Sequence, residues 1–142
     1  MASIEMQPIG VVRSPLKTLA DCPRQGAEAG VEAEIELEDR WAPGLQGLTP
    51  GQSLWVIGHL HQAGEPSLSV HPRGDPSQPK TGLFNTRSPN RACPLSLNLV
   101  QVLAVQGSRL KVRGLELVDG TPVLDIKPYA PSLDVPQGRE GS

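Results

Sequence analysis

Aromatic side chains are scarce in this sequence, and their scarcity argues against one common way of binding RNA. Among 142 residues the aromatic side chains are Trp41, Trp55, Phe84 and Tyr129. The usual modules for single-stranded RNA stack successive bases on a platform of several aromatic rings. Four rings spread along the chain supply few candidates for such a platform. A simple RNA-binding module is therefore disfavoured.

Cysteine and long apolar segments are also in short supply. Cys22 and Cys93 are the two cysteines, and neither belongs to a C-x-x-C pair, so no zinc-ribbon or redox motif is present. No apolar segment approaches the roughly 20 residues that a membrane span needs. The N-terminal residues "MASIEMQPIG" lack the pattern of a secretory signal. We expect a cytoplasmic protein with reduced thiols and no membrane partner.

Several familiar catalytic motifs are missing. The sequence contains no G-x-G-x-x-G, no Walker sequence and no G-x-S-x-G, so the usual dinucleotide, triphosphate and hydrolase sites are not indicated. His59 and His61 share one face of a predicted strand, but no third ligand stands at a known spacing. We predict no metal site.

The patterns that are present favour short strands. Fifteen Gly and fifteen Pro punctuate the chain, and "VEAEIELED" alternates apolar and acidic residues without error. Strands are predicted at 9–14, 31–38, 53–62, 96–105, 109–117 and 122–127, the one at 53–62 with both faces covered and the pair at 96–117 joined by the turn "QGS".

A short helical turn is predicted around 45–48, and residues 63–80, which hold four prolines, are predicted to form a long irregular excursion. The prediction is a mainly β protein: a small closed or nearly closed antiparallel or mixed β-barrel with long loops and at most one or two short helices. Residues 1–136 should form one domain, and 137–142 a loosely ordered tail.

Charge is segregated along the chain. Residues 1–70 carry four basic and nine acidic side chains, residues 71–113 seven and one, and residues 114–142 two and five. The middle block, with a charge of +6, can attract an anionic ligand or nucleic acid. It can equally be basic surface that balances acidic strand faces.

Polar clusters stand at the predicted strand ends, where β scaffolds commonly carry their sites. They are "CPRQG" (22–26), "HLHQ" (59–62), "NTRSPNR" (85–91) and "DGTP" (119–122). Each also has a structural explanation; "DGTP", for example, is an ordinary β-turn sequence. The residues alone therefore indicate a β-barrel with a polar, partly basic loop face.

Taken in order, "IGVVRSPLK", "TRSP" and "DGTPVLDIKPY" resemble the TsaA/TrmO-like family of S-adenosylmethionine-dependent methyltransferases, from residue 9 to 134. The resemblance implies a β-barrel homodimer that binds S-adenosyl-L-methionine near the subunit interface. It implies methylation of N6 of a threonylcarbamoylated adenosine in tRNA. The positions implied for donor binding are Pro23, Arg24, Gln25, His61, Gln62, Arg87, Leu97, Val118, Asp119, Gly120 and Thr121. On the acceptor side, Lys127 and Tyr129 are candidates for orienting the acceptor, with a further role for Cys93.

One segment departs from the family pattern. Where the family commonly reads "RPNPIGLS", this chain reads "RACPLSLN", from Arg91 to Asn98. The change leaves three alternatives open beside the tRNA methyltransferase: a methyltransferase for a small molecule or thiol, a non-catalytic sensor of S-adenosylmethionine, and an RNA-binding or structural module without the donor.

Overall fold

The computed structural model describes residues 2–18 and 30–137. Eight strands follow one another in these residues: β1 (Gly10–Arg13), β2 (Glu32–Leu37), β3 (Ser53–His59), β4 (Ser69–Val70), β5 (Thr81–Gly82), β6 (Leu95–Gln106), β7 (Arg109–Arg113) and β8 (Pro122–Pro128). The same described part of the chain forms three 3₁₀ turns, at Asp39–Leu45, Pro72–Gly74 and Leu83–Asn85, and one short α-helix, α1, at Pro131–Asp134.

Six of the strands close into a barrel in the order β1-β2-β7-β6-β3-β8, and every neighbouring pair is antiparallel. The remaining two, β4 and β5, form a separate two-stranded ribbon. Within the described ranges the only α-helix is α1, of four residues. The predicted mainly β, closed-barrel architecture with few short helices is confirmed.

The alternating pattern of the sequence accounts for the core. In β2, Ala33, Ile35 and Leu37 are buried, and they pack with Val12 of β1 and Leu110 of β7. Each strand contributes every second side chain to the interior, because successive side chains point to opposite faces. The barrel is thus filled by aliphatic side chains along most of its length.

Some basic side chains of the block at residues 71–113 form ion pairs within the barrel and are therefore not available to a ligand. The outward carboxylates of Glu32 and Glu34 pair with Arg109, Lys111 and Arg113 across β2 and β7, at 3.5 to 3.7 Å. Three of the seven basic residues between 71 and 113 are therefore occupied by strand-to-strand ion pairs. Residues of the long connection between β3 and β6 carry the rest.

Four details differ from the predictions. β3 is not covered on both faces: Leu54 and Val56 are buried, whereas Trp55 and Ile57 are half-exposed on the outside. β7 ends at Arg113 and not at 117, because Gly114 has a φ of +97° that ends the extended chain. The helical turn lies at 39–45 and not at 45–48. Residues 63–80 are not wholly irregular, since they include β4 and the turn at 72–74.

The described residues contain no helix that combines the length and the apolar character needed to cross a membrane.

Candidate functional site

A large cavity, of about 1370 Å³, opens beside the barrel. Its walls come from three segments: the connection between β3 and β6 (residues 60–94, here called the arm), the first half of β6, and residues 114–121 between β7 and β8. The volume exceeds the 300–1,000 Å³ typical of small-molecule pockets.

The first half of β6 presents an unpaired edge to this cavity. Residues 95–101 pair with β3 on one side, but β7 begins its pairing only at Gln101. Pro94 and Val102 accept hydrogen bonds from the β3 side, from Leu60 and Gly51, each at 2.8 Å. Since backbone groups alternate direction along an antiparallel strand, the N–H and C=O of Leu97 point the other way. The edge therefore offers backbone donors and acceptors to a bound molecule.

The arm is fixed by hydrogen bonds of its own side chains. Arg91 Nη1 donates to the carbonyl oxygens of Thr86 at 2.9 Å and Ser88 at 3.1 Å, which encloses the short loop between them. The N–H of Gly64 donates to Asn90 Oδ1 at 2.8 Å and ties the two ends of the arm together. Arg87 stands at the centre of the loop that Arg91 holds; it is exposed and lines the cavity. Arg91 is thus a support for Arg87.

The turn 118–121 closes the opposite wall. Thr121 is 2% exposed, and its hydroxyl donates to the carbonyl oxygen of Val118 at 2.6 Å. Gly120 has a φ of +85°, which a residue with a side chain rarely adopts. Val118 and Thr121 line the cavity as a result, while Asp119 turns away from it.

Asp119 instead fastens the chain after β1. The N–H of Ser14 donates to Asp119 Oδ1 at 2.9 Å, and Lys17 Nζ lies 3.3 Å from Oδ2. The hydrogen bond from Ser14 does most to hold the pKa of the Asp119 carboxyl below its ordinary value; burial opposes it, and Lys17 reinforces it. The N–H of Asp119 also donates to Leu16 at 2.7 Å. Residues 14–17 are therefore held at the turn 118–121.

The structure brings together six of the eleven predicted donor-binding residues. His61, Gln62, Arg87, Leu97, Val118 and Thr121 line the cavity. Asp119 and Gly120 belong to the same turn but do not line it. Pro23, Arg24 and Gln25 lie outside the described residues.

The three acceptor-side candidates do not line the cavity. Lys127 pairs with Asp125 at 3.2 Å on the outside of β8. Tyr129 follows β8 and packs edge-on against Trp55, with ring centroids 5.8 Å apart. Cys93 is an exposed free thiol at the end of the arm. Their proposed roles in orienting an acceptor receive no support from this geometry.

Two polar residues on the cavity wall escaped the sequence analysis. Asn98 and Glu116 both line the cavity, and each has a side-chain oxygen, Oδ1 and Oε2 respectively, that is closed off from solvent. The sequence does indicate Asn98. In "LSLNLVQV" its side chain falls on the same strand face as those of Val100 and Val102, which are buried. A polar side chain at a core parity commonly marks a site or a buried hydrogen bond.

The side chains that line the cavity are suited to binding a polar or charged ligand. Lys80, Arg87 and Arg91 supply positive charge to the wall, and Glu116 supplies a carboxylate. Across residues 2–18 and 30–137, no three His, Cys, Asp or Glu side chains gather closely enough to hold a metal ion. Arg87 is suited to two parallel hydrogen bonds with a carboxylate, and the β6 edge to an amide or hydroxyl. An amino-acid nucleoside with a free carboxylate fits these groups.

Comparison with known proteins agrees with this geometry. The family model of the tRNA-methyltransferase O N-terminal domain matches residues 11–135. An S-adenosyl-L-methionine-binding protein of Archaeoglobus fulgidus is 41% identical over 136 residues, 96% of each chain. The tRNA (adenine(37)-N6)-methyltransferase of Escherichia coli is 36% identical over 140 residues, which cover 92% of this chain and 60% of that protein.

Comparison with solved structures points to the same family. The crystal structure of TrmO from Pseudomonas aeruginosa superimposes with a TM-score of 0.79 at 31% identity, over 99% of this chain and 62% of that one. This chain thus spans about three fifths of the length of the E. coli and P. aeruginosa relatives. The resemblance noted in the sequence is confirmed, and the chain belongs to the tRNA-methyltransferase O N-terminal-domain family, a family of S-adenosyl-L-methionine-dependent methyltransferases.

Proposed function

We propose that this protein transfers a methyl group from S-adenosyl-L-methionine to N6 of a threonylcarbamoylated adenosine in tRNA. The observation that carries the proposal is the convergence of four separate segments, 61–62, 87, 97 and 118–121, on one cavity of about 1370 Å³. The family resemblance implies donor binding at each of these segments. Their meeting in one place is what a donor site requires.

The residues of the cavity have separable tasks in this scheme. Arg87 binds the carboxylate of the donor's amino-acid part, since a guanidinium matches a carboxylate bidentately. The backbone of Leu97 and the turn 118–121 hold the nucleoside part. Leu117 and Val118, both buried, add apolar surface to the cavity wall. The donor supplies an activated methyl, which moves to the acceptor nitrogen as sulfur takes back the bonding electrons and the nitrogen loses its proton.

Catalysis in such a displacement rests on positioning. An in-line transfer needs the acceptor nitrogen at near-attack distance from the methyl, and that alignment supplies much of the rate enhancement. The arm and the β6 edge are both fixed by hydrogen bonds, so the cavity is organised before the ligands arrive. Glu116 is the carboxylate on the wall that can receive the proton.

The acceptor is assigned to tRNA on two grounds. The E. coli relative, 36% identical, is a tRNA (adenine(37)-N6)-methyltransferase. In addition, Lys80 and Arg91 on the cavity wall supply positive charge, which favours a phosphate backbone. Action on tRNA places the protein in the cytoplasm.

We also propose that the protein acts as a homodimer. Leu97 and Leu99 are 52% and 43% exposed on the outer face of β6, and Trp55 and Ile57 lie beside them on β3. Contiguous outward aliphatic and aromatic side chains of this kind commonly mark an interface. The face adjoins the cavity, so a second copy would complete the donor site.

The direct test is transfer of labelled methyl from S-adenosyl-L-methionine. We expect label in tRNA that carries threonylcarbamoyladenosine and none in the same tRNA without that group. Label that appears only in a small-molecule extract would replace the tRNA acceptor with a small molecule or thiol. Binding of S-adenosyl-L-methionine without transfer to either would indicate the sensor, and the proposal would fail.

A further inference from the structure

Methyl transfer to N6 of a threonylcarbamoylated adenosine requires that this nitrogen lose its proton. The lone pair of N6 is shared with the purine ring and with the carbamoyl carbonyl, so the protonated nitrogen is a weak nucleophile. A side chain that takes the proton in the transition state commonly raises the rate by about 10²–10⁴-fold. The cavity should therefore present a proton acceptor whose free atom faces the reactants.

His71 has the geometry of such a group. It follows β4 directly, is half-buried and lines the cavity. Its ring nitrogen Nδ1 lies 2.8 Å from the backbone carbonyl oxygen of Gln78. Because a carbonyl oxygen can only accept a hydrogen bond, Nδ1 carries the hydrogen and donates it. In the neutral ring Nε2 is then the nitrogen with a lone pair free to accept a proton.

Backbone hydrogen bonds fix both partners of this contact. Immediately before His71, β4 pairs with β5, and the N–H of Gly74 donates to the carbonyl oxygen of His71 at 2.9 Å. The N–H of Gln78 donates to the carbonyl oxygen of Asp75 at 3.1 Å. The ring and the carbonyl that orients it therefore belong to hydrogen-bonded turns of the arm. The tautomer is set before any ligand binds.

The other titratable or charged side chains of the cavity wall are less suited to taking a proton. They are His61, Lys80, Arg87, Arg91 and Glu116. Charged lysine and arginine side chains have no acceptor atom. Oε2 of Glu116 is closed off from solvent. His61 is exposed, and the proposed function already assigns it to the donor.

We propose that His71 is the general base of the methyl transfer. The inference rests on the proposed function, because it names a further residue of the same site. The bond between sulfur and the methyl carbon breaks with its electron pair going to sulfur, while N6 forms a bond to that carbon. The N6–H proton passes to Nε2 of His71. The imidazolium that results donates a stronger, charge-assisted hydrogen bond to Gln78 and then releases the proton to solvent.

The first test separates the loss of a base from the loss of a structural contact. His71→Asn keeps a side-chain N–H that can donate to Gln78, but it has no atom basic enough to take the proton. We expect this variant to bind S-adenosyl-L-methionine as the wild type does. Its kcat for methylation of tRNA that carries threonylcarbamoyladenosine should fall about 100-fold or more. His59→Asn is the matched control, since His59 ends β3 and does not line the cavity; its kcat should not change.

The second test needs no catalysis. Long-range ¹H–¹⁵N NMR of the ligand-free protein reports which ring nitrogen of a neutral histidine carries the hydrogen, and comparison with His71→Asn assigns the His71 signals. We expect the Nδ1–H tautomer, which is the minor form of free histidine in water. The Nε2–H tautomer would contradict the inference.

Activity can also overturn it. A wild type that methylates tRNA together with an equally active His71→Asn variant would show that His71 takes no proton. A loss of kcat in Glu116→Gln but not in His71→Asn would assign the proton to the carboxylate instead. Failure of the proposed function is distinct from both: the wild type itself would then transfer no methyl to tRNA, and the inference would fail with it.

Discussion

We expect donor binding to depend most directly on the side chain of Arg87. It is exposed on the cavity wall, and the two hydrogen bonds of Arg91 define the loop around it. We predict that Arg87→Ala weakens S-adenosyl-L-methionine binding by about 1.5–3 kcal/mol, the range for a hydrogen bond to a charged group. Isothermal titration calorimetry measures the change. Arg109→Ala, on β7 and outside the cavity, should bind as the wild type does; equal affinity of both variants would remove Arg87 from the site.

The hydrogen bonding of Asp119 leads to a prediction about how the free energy of unfolding depends on pH. Its carboxyl has a lowered pKa in the folded protein, so its charge stabilises the fold fully above the unfolded pKa of about 3.9. This contribution disappears as the pH falls through the folded value. We expect Asp119→Asn to reduce the free energy of unfolding by up to about 1 kcal/mol at pH 7, since the hydrogen bond from Ser14 loses its charged acceptor and the attraction of the exposed Lys17 is lost.

Urea unfolding of wild type and Asp119→Asn at pH 7 and at pH 3 or below checks this. The two curves should approach one another at low pH, where the wild-type carboxyl is protonated. A difference that stays constant over the whole range would mean that the charge of Asp119 contributes nothing.

Among the strands, β1 and β2 meet at a contact that only glycine permits. A Cβ added to Gly10 would overlap the carbonyl oxygen of Glu36 and lie 2.9 Å from the Cα of Leu37, and neither backbone atom can rotate away. We predict that Gly10→Ala lowers the free energy of unfolding by about 1–3 kcal/mol, as overpacked sites do.

Thermal or urea unfolding measures the effect of that substitution. Gly44→Ala is its control, because nothing lies within 4 Å of the added methyl. If Gly10→Ala and Gly44→Ala unfold alike, the close approach of β1 to β2 is wrong.

The elements also show what sequence could and could not predict. Alternation in "VEAEIELED" and the turn "QGS" fixed β2 and the β6–β7 hairpin, because period-two burial and tight turns are local properties. The end of β7 at Gly114 was missed because a positive φ is only one of the conformations open to glycine. The half-exposed outer face of β3 was missed because a run of apolar residues does not reveal what covers it.

For the site, the local motifs predicted that these residues lie on loops. They could not predict which of the residues lie close together. His61, Arg87 and Val118 are far apart in the chain and meet only because the arm folds back over β6. The resemblance supplied that grouping; spacing alone could not. Lys127 and Tyr129 do not line the cavity, since Lys127 pairs with Asp125 on the outside of β8 and Tyr129 packs against Trp55. Asn98 was not predicted to line the cavity, although its position in the alternating pattern of β6 indicates an inward-facing side chain.

At the scale of the whole molecule, the proposed homodimer depends on the outer face of β3 and β6. We predict that Ile57→Lys, which places a charge on this face outside the cavity, converts a dimer into a monomer. Size-exclusion chromatography with light scattering measures the mass directly. Ile4→Lys, at a position 81% exposed on the N-terminal segment, should leave the dimer intact. A wild-type monomer at micromolar concentration would contradict the proposal.

The central claim is that the arm, the β6 edge and the turn 118–121 enclose one molecule of S-adenosyl-L-methionine. A crystal structure grown with S-adenosyl-L-methionine tests it most directly. The account predicts density for the ligand in this cavity, with its carboxylate at Arg87 and its nucleoside along the backbone of Leu97 and the turn at Val118 to Thr121. Density at another surface, or an empty cavity at saturating ligand, would contradict it.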